Sequence, residues 1–354
     1  MTTPTDTSLE LGPHRKGEAP AEPAPGARSK LGRNLALLAW LALAAVLGCT
    51  PHEAHDSATG HAKANHRYAG DGPVRVVCTT GQVAELVRRV GGDRVRVEAL
   101  MGPGVDPHLY SPAASDVSRL TEADAIVYNG LHLEGRMAEL FEKLADRRFT
   151  LAVTAGLVER RDARLRKPPE FADLYDPHVW HDAALWADCV ADVAAALGEF
   201  DPKFAEAYQT NAATYREELL ASDAECRESI AALPQARRVL ITAHDAFGYY
   251  GAAYGLEVFG LKGISTEEEK DLAWQAELQR IIIDRNIPAV FVESAVAPRV
   301  LQALVEPVRG SGHDLQLPDE PLYADALGPA DSDAATYSGM LRHNTRVIVE
   351  ALAP

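Results

Sequence analysis

Two copies of one tripeptide, Asp106-Pro107-His108 and Asp176-Pro177-His178, stand 70 residues apart in the sequence. Each proline fixes its own φ and restricts the residue before it, so each imidazole is presented from a stiff loop. A third histidine, His244 in Ile241-Thr242-Ala243-His244-Asp245, comes just past a short β-branched run, and Asp325 lies in Leu322-Tyr323-Ala324-Asp325-Ala326-Leu327. Three imidazoles and one carboxylate form a four-point cage suited to a borderline divalent cation, zinc above all. The carboxylate leaves a divalent charge partly compensated. A lone histidine is ordinarily a surface or core residue. These gain weight together because of their places at strand ends, and in open α/β sheets ligands bind beyond the carboxyl ends of the strands.

Other polar residues have supporting readings. Glu293 ends a run Phe291-Val292-Glu293-Ser294 and could orient a ligand histidine, as carboxylates around metal sites do; its plainer reading is a helix N-terminal carboxylate. His132, in Asn129-Gly130-Leu131-His132-Leu133-Glu134, could support the site from outside. His181 is expected to cap a helix or face solvent, and His313 and His343 to lie at the periphery. A competing chemistry is a zinc metallohydrolase centred on three histidines and one aspartate. That chemistry needs an open coordination position and a nearby base. Glu293 is the only tempting base, and four protein ligands leave little room for water. A metal that merely stiffens a surface adhesin or structural lipoprotein is a third reading.

The residues that would position the cage alternate in pattern from Pro73 onward, short β-branched runs with helical stretches, which is the signature of parallel βα units. Strands are expected at Val74–Thr79, Val95–Leu100 and Ala125–Tyr128, with helices over Gln82–Val90 and Ser115–Ala123 and another starting near Ala183. After Leu233 come a strand Val239–Thr242, helix Ala246–Tyr254, strand Leu256–Phe259, helix Asp271–Arg285, strand Ala289–Glu293, strand Leu315–Leu317 and a helix from Thr336 to Leu352. Between the two series, Phe204, Tyr208, Ala212, Tyr215, Leu219, Ala224 and Ile230 recur at helical spacing. One helix of about 30 residues would be roughly 45 Å long; two shorter helices broken near Ser222 are the alternative. The expected fold is therefore α/β, two doubly wound lobes joined by one long helix, with the site in the cleft between them. The divisions are 73–198 for the first lobe, 199–234 for the connecting helix and 235–354 for the second lobe.

Length and charge agree. A chain of 354 residues exceeds one ordinary core. A formal charge of −16 disfavours nucleic acid as a partner, which needs a basic surface to release counterions. Residues 1–49 read as a leader: a Pro-, Ala- and Gly-rich start, then the apolar stretch Leu35–Leu47, too short for a comfortable span, then Cys49. Val46-Leu47-Gly48-Cys49 resembles the lipobox of bacterial lipoproteins, which implies that Cys49 carries lipid and anchors the chain to a membrane. An uncleaved signal anchor would export it as well. Residues 50–72, with His52, His55, His61 and His66, read as a flexible linker whose imidazoles either hold metal loosely or are merely polar. Cys78, Cys189 and Cys226 show no disulfide or metal spacing, and no chemistry is assigned to them.

Asp106-Pro107-His108-Leu109-Tyr110, Tyr128-Asn129-Gly130-Leu131-His132-Leu133-Glu134, Asp176-Pro177-His178-Val179-Trp180, His244-Asp245-Ala246-Phe247-Gly248-Tyr249 and Gly263-Ile264-Ser265-Thr266 resemble the zinc and manganese solute-binding receptors of ABC importers. The likeness runs from about Val74 to the C-terminus. It implies two Rossmann-like lobes, a rigid backbone helix and one divalent ion, zinc or manganese, held at residues matching His108, His178, His244 and Asp325. The ion is cargo, so no catalysis is implied. The implied partners are an ABC permease and its ATPase, with the receptor a monomer outside the cytoplasmic membrane. Some members carry glutamate where His244 stands, a pattern associated with manganese. The His-rich loop of some zinc receptors is absent from Val158–Tyr175, so the chain sits between the two types.

Overall fold

The computed structural model describes residues 66–171 and 173–354. The apolar stretch Leu35–Leu47, the lipobox with Cys49, and His52, His55 and His61 lie outside the described residues. In chain order the elements are β1 (Val74–Cys78), α1 (Gly81–Gly91), β2 (Val95–Ala99), α2 (Ala114–Glu122), β3 (Ala125–Tyr128), α3 (Ala138–Ala145), β4 (Phe149–Ala152), α4 (Ala155–Glu159), α5 (Ala183–Phe200) and α6 (Ala205–Ala231). Next along the chain are β5 (Val239–Thr242), α7 (Gly248–Tyr254), β6 (Glu257–Gly260), α8 (Leu272–Asp284), α9 (Arg299–Gly310) and α10 (Tyr337–Leu352).

The first sheet is parallel in the order β2-β1-β3-β4. Its strands are short and mostly buried, as expected where helices cover both faces. In the second lobe β5 pairs with β6, also in parallel. The expected strands Ala289–Glu293 and Leu315–Leu317 extend this sheet only through single bridges, Thr242 to Phe291, Ala289 to Gln316 and Glu293 to Leu322. Pro288, Pro318 and Pro321 lack the N–H that a continuous ladder would use. Side-chain caps fix several helix starts: Thr80 for α1, Asp182 for α5, Asp271 for α8 and Thr336 for α10 each accept a backbone N–H of the first turn.

The connecting helix α6 is continuous over 27 residues, about 40 Å at 1.5 Å per residue. Tyr208, Ala212, Tyr215, Leu219, Ser222, Cys226 and Ile230 form its buried stripe. Ser222, where the alternative reading placed a break, lies buried inside the continuous helix and donates its hydroxyl to the carbonyl of Glu218 at 3.1 Å. The stripe packs on α1, α5 and α10. One continuous apolar core consequently holds Val76 and Leu86 of the first lobe together with Leu240, Tyr249, Phe291 and Ile348 of the second. Glu85 ties three elements: its carboxylate accepts from the Tyr215 hydroxyl at 3.3 Å and from the Tyr337 N–H at 2.6 Å. The lobes share one helical spine and one core.

Residues 66–72, expected within the flexible linker, are seated on the first lobe. The Tyr68 N–H donates to the Phe200 carbonyl at 2.7 Å, and Arg94 donates to the carbonyls of Asp71 at 3.0 Å and Gly72 at 2.6 Å. Arg94 also pairs with Asp201 at 2.6 Å, the side chains being only 8% and 2% exposed. Tyr208 adds a hydroxyl donor to the same Asp201 oxygen at 3.0 Å. Removing one member of such a pair strands the other charge. Arg94→Met is therefore expected to cost about 3–5 kcal/mol of folding free energy, read as a lower urea midpoint. An unchanged midpoint would show the pair to be dispensable. Among the described residues no helix is long and apolar enough to cross a membrane.

Candidate metal centre

The repeated Asp-Pro-His tripeptide builds the same turn twice. Asp106 Oδ1 accepts the N–H of His108 at 2.9 Å, and Asp176 Oδ1 accepts that of His178 at 3.0 Å. An aspartate that binds the backbone two residues on makes a local Asx turn, and the intervening proline stiffens it. The first turn comes after β2 and the second precedes α5. His244 lies just past the end of β5. The helix expected from Ala246 begins two residues later, at Gly248.

The Asp325 segment is held from both sides. The Trp180 indole donates to the Ala324 carbonyl at 2.8 Å, and Asn344 of α10 clasps Tyr323, accepting its N–H and donating to its carbonyl, both at 2.9 Å. His181 also meets the Ala324 carbonyl through Nε2 at 3.1 Å. This corrects the expectation that His181 caps a helix or faces solvent: it is fully buried, against the Phe247 ring. Burial pushes its pKa down to about 3.

His108, His178, His244 and Asp325 come together, one ligand atom from each lying within 4.8 Å of all the others. Their exposures are 6%, 0%, 0% and 1%. The separations along the cluster are 3.2 Å between the Nε2 atoms of His108 and His178, 3.4 Å from His178 Nε2 to Asp325 and 3.3 Å from His244 Nε2 to Asp325. Metal–ligand bonds of about 2.0–2.2 Å in a tetrahedron place neighbouring ligand atoms roughly 3.3–3.6 Å apart. The three shortest separations are close to that spacing, and all four donors lie within 4.8 Å of one another, a set a single ion could gather. Both Asp325 oxygens and His244 Nε2 are buried without a hydrogen-bond partner. Unpaired buried polar atoms are costly, and a cation at their centre satisfies all of them.

Carboxylates behind the rings aim Nε2 inward. His178 Nδ1 lies 2.8 Å from Asp176 Oδ1, while Glu293 takes both the N–H of His244, at 2.9 Å, and its Nδ1. The Tyr249 hydroxyl donates to the Asp176 carbonyl at 3.0 Å, and the Asn129 side chain donates to the Pro177 carbonyl at 3.0 Å. Behind Asn129, buried Glu134 accepts from the Thr79 hydroxyl at 2.7 Å and from the N–H groups of Asn129 at 2.8 Å and Gly130 at 3.2 Å. His132 makes no hydrogen bond to any of the four clustered residues. It continues a left-handed turn, with φ of 90°, 52° and 64° at Gly130, Leu131 and His132, that brings Glu134 under Asn129. His313 and His343 bind the carbonyls of Ile287 and Pro321, away from the cluster. Because carboxylates that orient ligand histidines typically matter 10–100-fold for metal affinity, Glu293→Gln is expected to weaken binding by that range without changing stoichiometry. Equal affinity in a competition titration would contradict the role.

The electrostatics of the cluster are split. Burial holds His108 neutral, lowering its pKa to about 3. At His178 burial also favours the neutral ring, but Asp176 and Asp325 outweigh it and raise the pKa to about 9. At His244 burial is likewise overcome by Glu293 and Asp325, and the pKa rises well above the ordinary value. Burial would raise Asp325, yet His244 and His178 hold it well below the usual carboxylate range. The raised rings favour a proton where a divalent ion would bind, so proton and ion compete for the same nitrogens.

A parallel-sheet lobe on each side, a helix running along both and an ion-sized set of donors at the junction define a two-lobed solute receptor. Residues 76–351 match the family described as "ZnuA: Zinc-uptake complex component A periplasmic", and the chain belongs to that family. It is similar to the zinc-binding protein TroA of Treponema pallidum (strain Nichols), at 41% identity over 297 residues, 83% of this chain and 93% of that protein. It is also similar to the manganese-binding lipoprotein MntA of Bacillus subtilis (strain 168), at 38% identity over 284 residues, 80% of this chain and 91% of that one. Among solved structures, the periplasmic zinc-binding protein TroA from Treponema pallidum superposes with a TM-score of 0.75 at 41% identity, covering 80% of this chain and 100% of that chain.

Proposed function

We propose that this protein captures one divalent transition-metal ion, zinc or manganese, outside the cytoplasmic membrane and delivers it to the permease and ATPase of an ABC importer. The ion is cargo, bound by His108, His178, His244 and Asp325. The observation that carries this reading is the gathering of four buried donors from distant parts of the chain, one ligand atom of each within 4.8 Å of all the others. Three imidazoles and one carboxylate suit zinc, and first-row affinities rank zinc above manganese, so zinc should bind the tighter of the two. The hydrolase reading loses its base: both Glu293 oxygens are engaged by His244, and four protein ligands leave no open coordination position for water.

Cys49 is proposed as the lipidated first residue of the mature chain, with residues 50–65 as a tether and the receptor working as a monomer. On this reading Cys49→Ala moves the protein from the membrane fraction to the soluble fraction, as tracked by detergent partitioning. Retention in the membrane would point to an uncleaved signal anchor instead. The transport role is tested by reconstituting the cognate permease and ATPase in proteoliposomes. Metal-loaded receptor should stimulate ATP hydrolysis and the metal-free Asp325→Ala variant should not. Equal rates with both would overturn the role.

A further inference from the structure

The two Asp-Pro-His turns diverge at one atom. In the second, Asp176 Oδ1 goes on to meet the ring of its own histidine. In the first, Oδ1 of Asp106 accepts the N–H groups of His108 at 2.9 Å and Leu109 at 3.3 Å, while Oδ2 reaches across the cleft. There it accepts the hydroxyl of Thr266 at 2.6 Å, from the loop after β6, 160 residues away. Thr266 is only 4% exposed. Arg136, from the loop after β3, makes a parallel connection. It donates to the Leu109 carbonyl at 2.9 Å and to the Ser111 hydroxyl at 3.2 Å, and it pairs with Glu267, the neighbour of Thr266. Both links join the loop that carries His108 to the same loop of the opposite lobe.

The other three donors have no comparable freedom. His178 and His244 are backed by buried carboxylates, and the Asp325 segment is pinned by Trp180 and Asn344. His108 is the most exposed of the four at 6%, and its loop is the one these cross-cleft contacts hold. We infer that Thr266–Asp106 and Glu267–Arg136 form a clasp across the mouth of the cleft that sets the rate at which the bound ion escapes. This rests on the reading of the cleft as a metal site and adds residues that touch no metal to the set governing release. The two links differ in strength. A hydrogen bond from a buried hydroxyl to a carboxylate is strong. An ion pair whose side chains are 43% and 49% exposed is screened by solvent and weak. Thr266 therefore holds the clasp and Glu267 trims it, and the exposed pair is the part a docking partner can reach and exchange.

The test is release of pre-bound Zn(II) from the full mature chain into excess chromogenic chelator, recorded by stopped flow. Thr266→Val should release about tenfold faster with one ion still bound per chain, and Thr266→Ser, which keeps the hydroxyl, should release at the rate of the unsubstituted protein. Glu267→Gln, which removes the ion pair but leaves Arg136 on Leu109 and Ser111, should accelerate release by about two- to threefold, less than Thr266→Val. Release from Thr266→Val at the unsubstituted rate would overturn the clasp, as would acceleration by Thr266→Ser equal to that of Thr266→Val. Failure of the metal reading would look different: no Zn(II) on the unsubstituted protein at the start, which removes the clasp's purpose as well.

Discussion

Asp325→Ala should lose stoichiometric metal binding while remaining folded. Asp325 is the only carboxylate among the four clustered donors and lies 3.4 Å from His178 and 3.3 Å from His244. Without it, three neutral imidazoles must carry a divalent charge in a dry site, and the protons that Asp176 and Glu293 favour on His178 and His244 would repel the incoming ion. Losing a ligand outright should weaken binding by more than the roughly 10–100-fold typical of losing a carboxylate that only orients one. A competition titration with a zinc indicator reads the loss directly, and circular dichroism checks the fold. The α10 and Trp180 contacts that shape this segment run through the backbone of Tyr323 and Ala324, so the alanine leaves them intact. Affinity within a factor of a few of the unsubstituted protein would remove Asp325 from the site.

Acid should weaken binding steeply. Metal ligands must be deprotonated, so each proton displaced makes affinity fall about tenfold per pH unit below the pKa of the group that held it. His178 holds its proton up to about pH 9 and His244 well above the ordinary imidazole range, whereas burial keeps His108 free of a proton down to about pH 3. Two protons are therefore released per ion at neutral pH, and affinity should drop roughly a hundredfold per unit of acidification. The metal-free fold responds in the opposite sense at His178. A group whose folded pKa is raised stabilises the fold fully below its unfolded value near 6.5 and loses that contribution as pH rises toward about 9. Calorimetry in buffers of different ionisation enthalpy counts the released protons. A count near zero at pH 7 would contradict the protonated rings.

Much of this architecture is legible in the residues because chemistry and periodicity coincide. β3, β5 and the long helix α6 appear where β-branched runs or helical stripes mark them, and the stripe from Tyr208 to Ile230 survives as the buried face. The clustered histidines His108 and His244 are legible for a different reason: they sit in loops at the carboxyl ends of strands, and a parallel sheet gathers those loops onto one edge. The pattern is silent about β4, a four-residue run Phe149–Ala152 buried on both faces and lacking alternation. It is silent too about α9, whose Pro307 argues against a helix that forms nonetheless. The opposite error arises at Ala289–Glu293, where strand-forming residues meet a neighbouring segment broken by Pro318 and Pro321, so only bridges form.

Supporting residues are harder to read than the clustered donors. Spacing cannot distinguish a solvent-facing His181 from one stacked on Phe247 and bound to Ala324, because its partners lie in a different part of the chain. Glu134 gives no signal beyond a charge placed among apolar residues, although it holds the turn under Asn129. Asp106 and Asp176 are visible as the first residues of a repeated tripeptide. Their opposite uses, one across the cleft and one on its own histidine, depend on tertiary contacts that no local pattern encodes.

The central claim is that one divalent ion sits among His108, His178, His244 and Asp325. The most direct test is metal content and titration calorimetry on residues 50–354 beside a His108→Ala and His178→Ala double variant. One tightly bound ion per chain, zinc more tightly than manganese, and none in the double variant is the predicted result. Absence of a stoichiometric ion, or binding undiminished in the double variant, would contradict the claim and direct attention to the histidines of the tether.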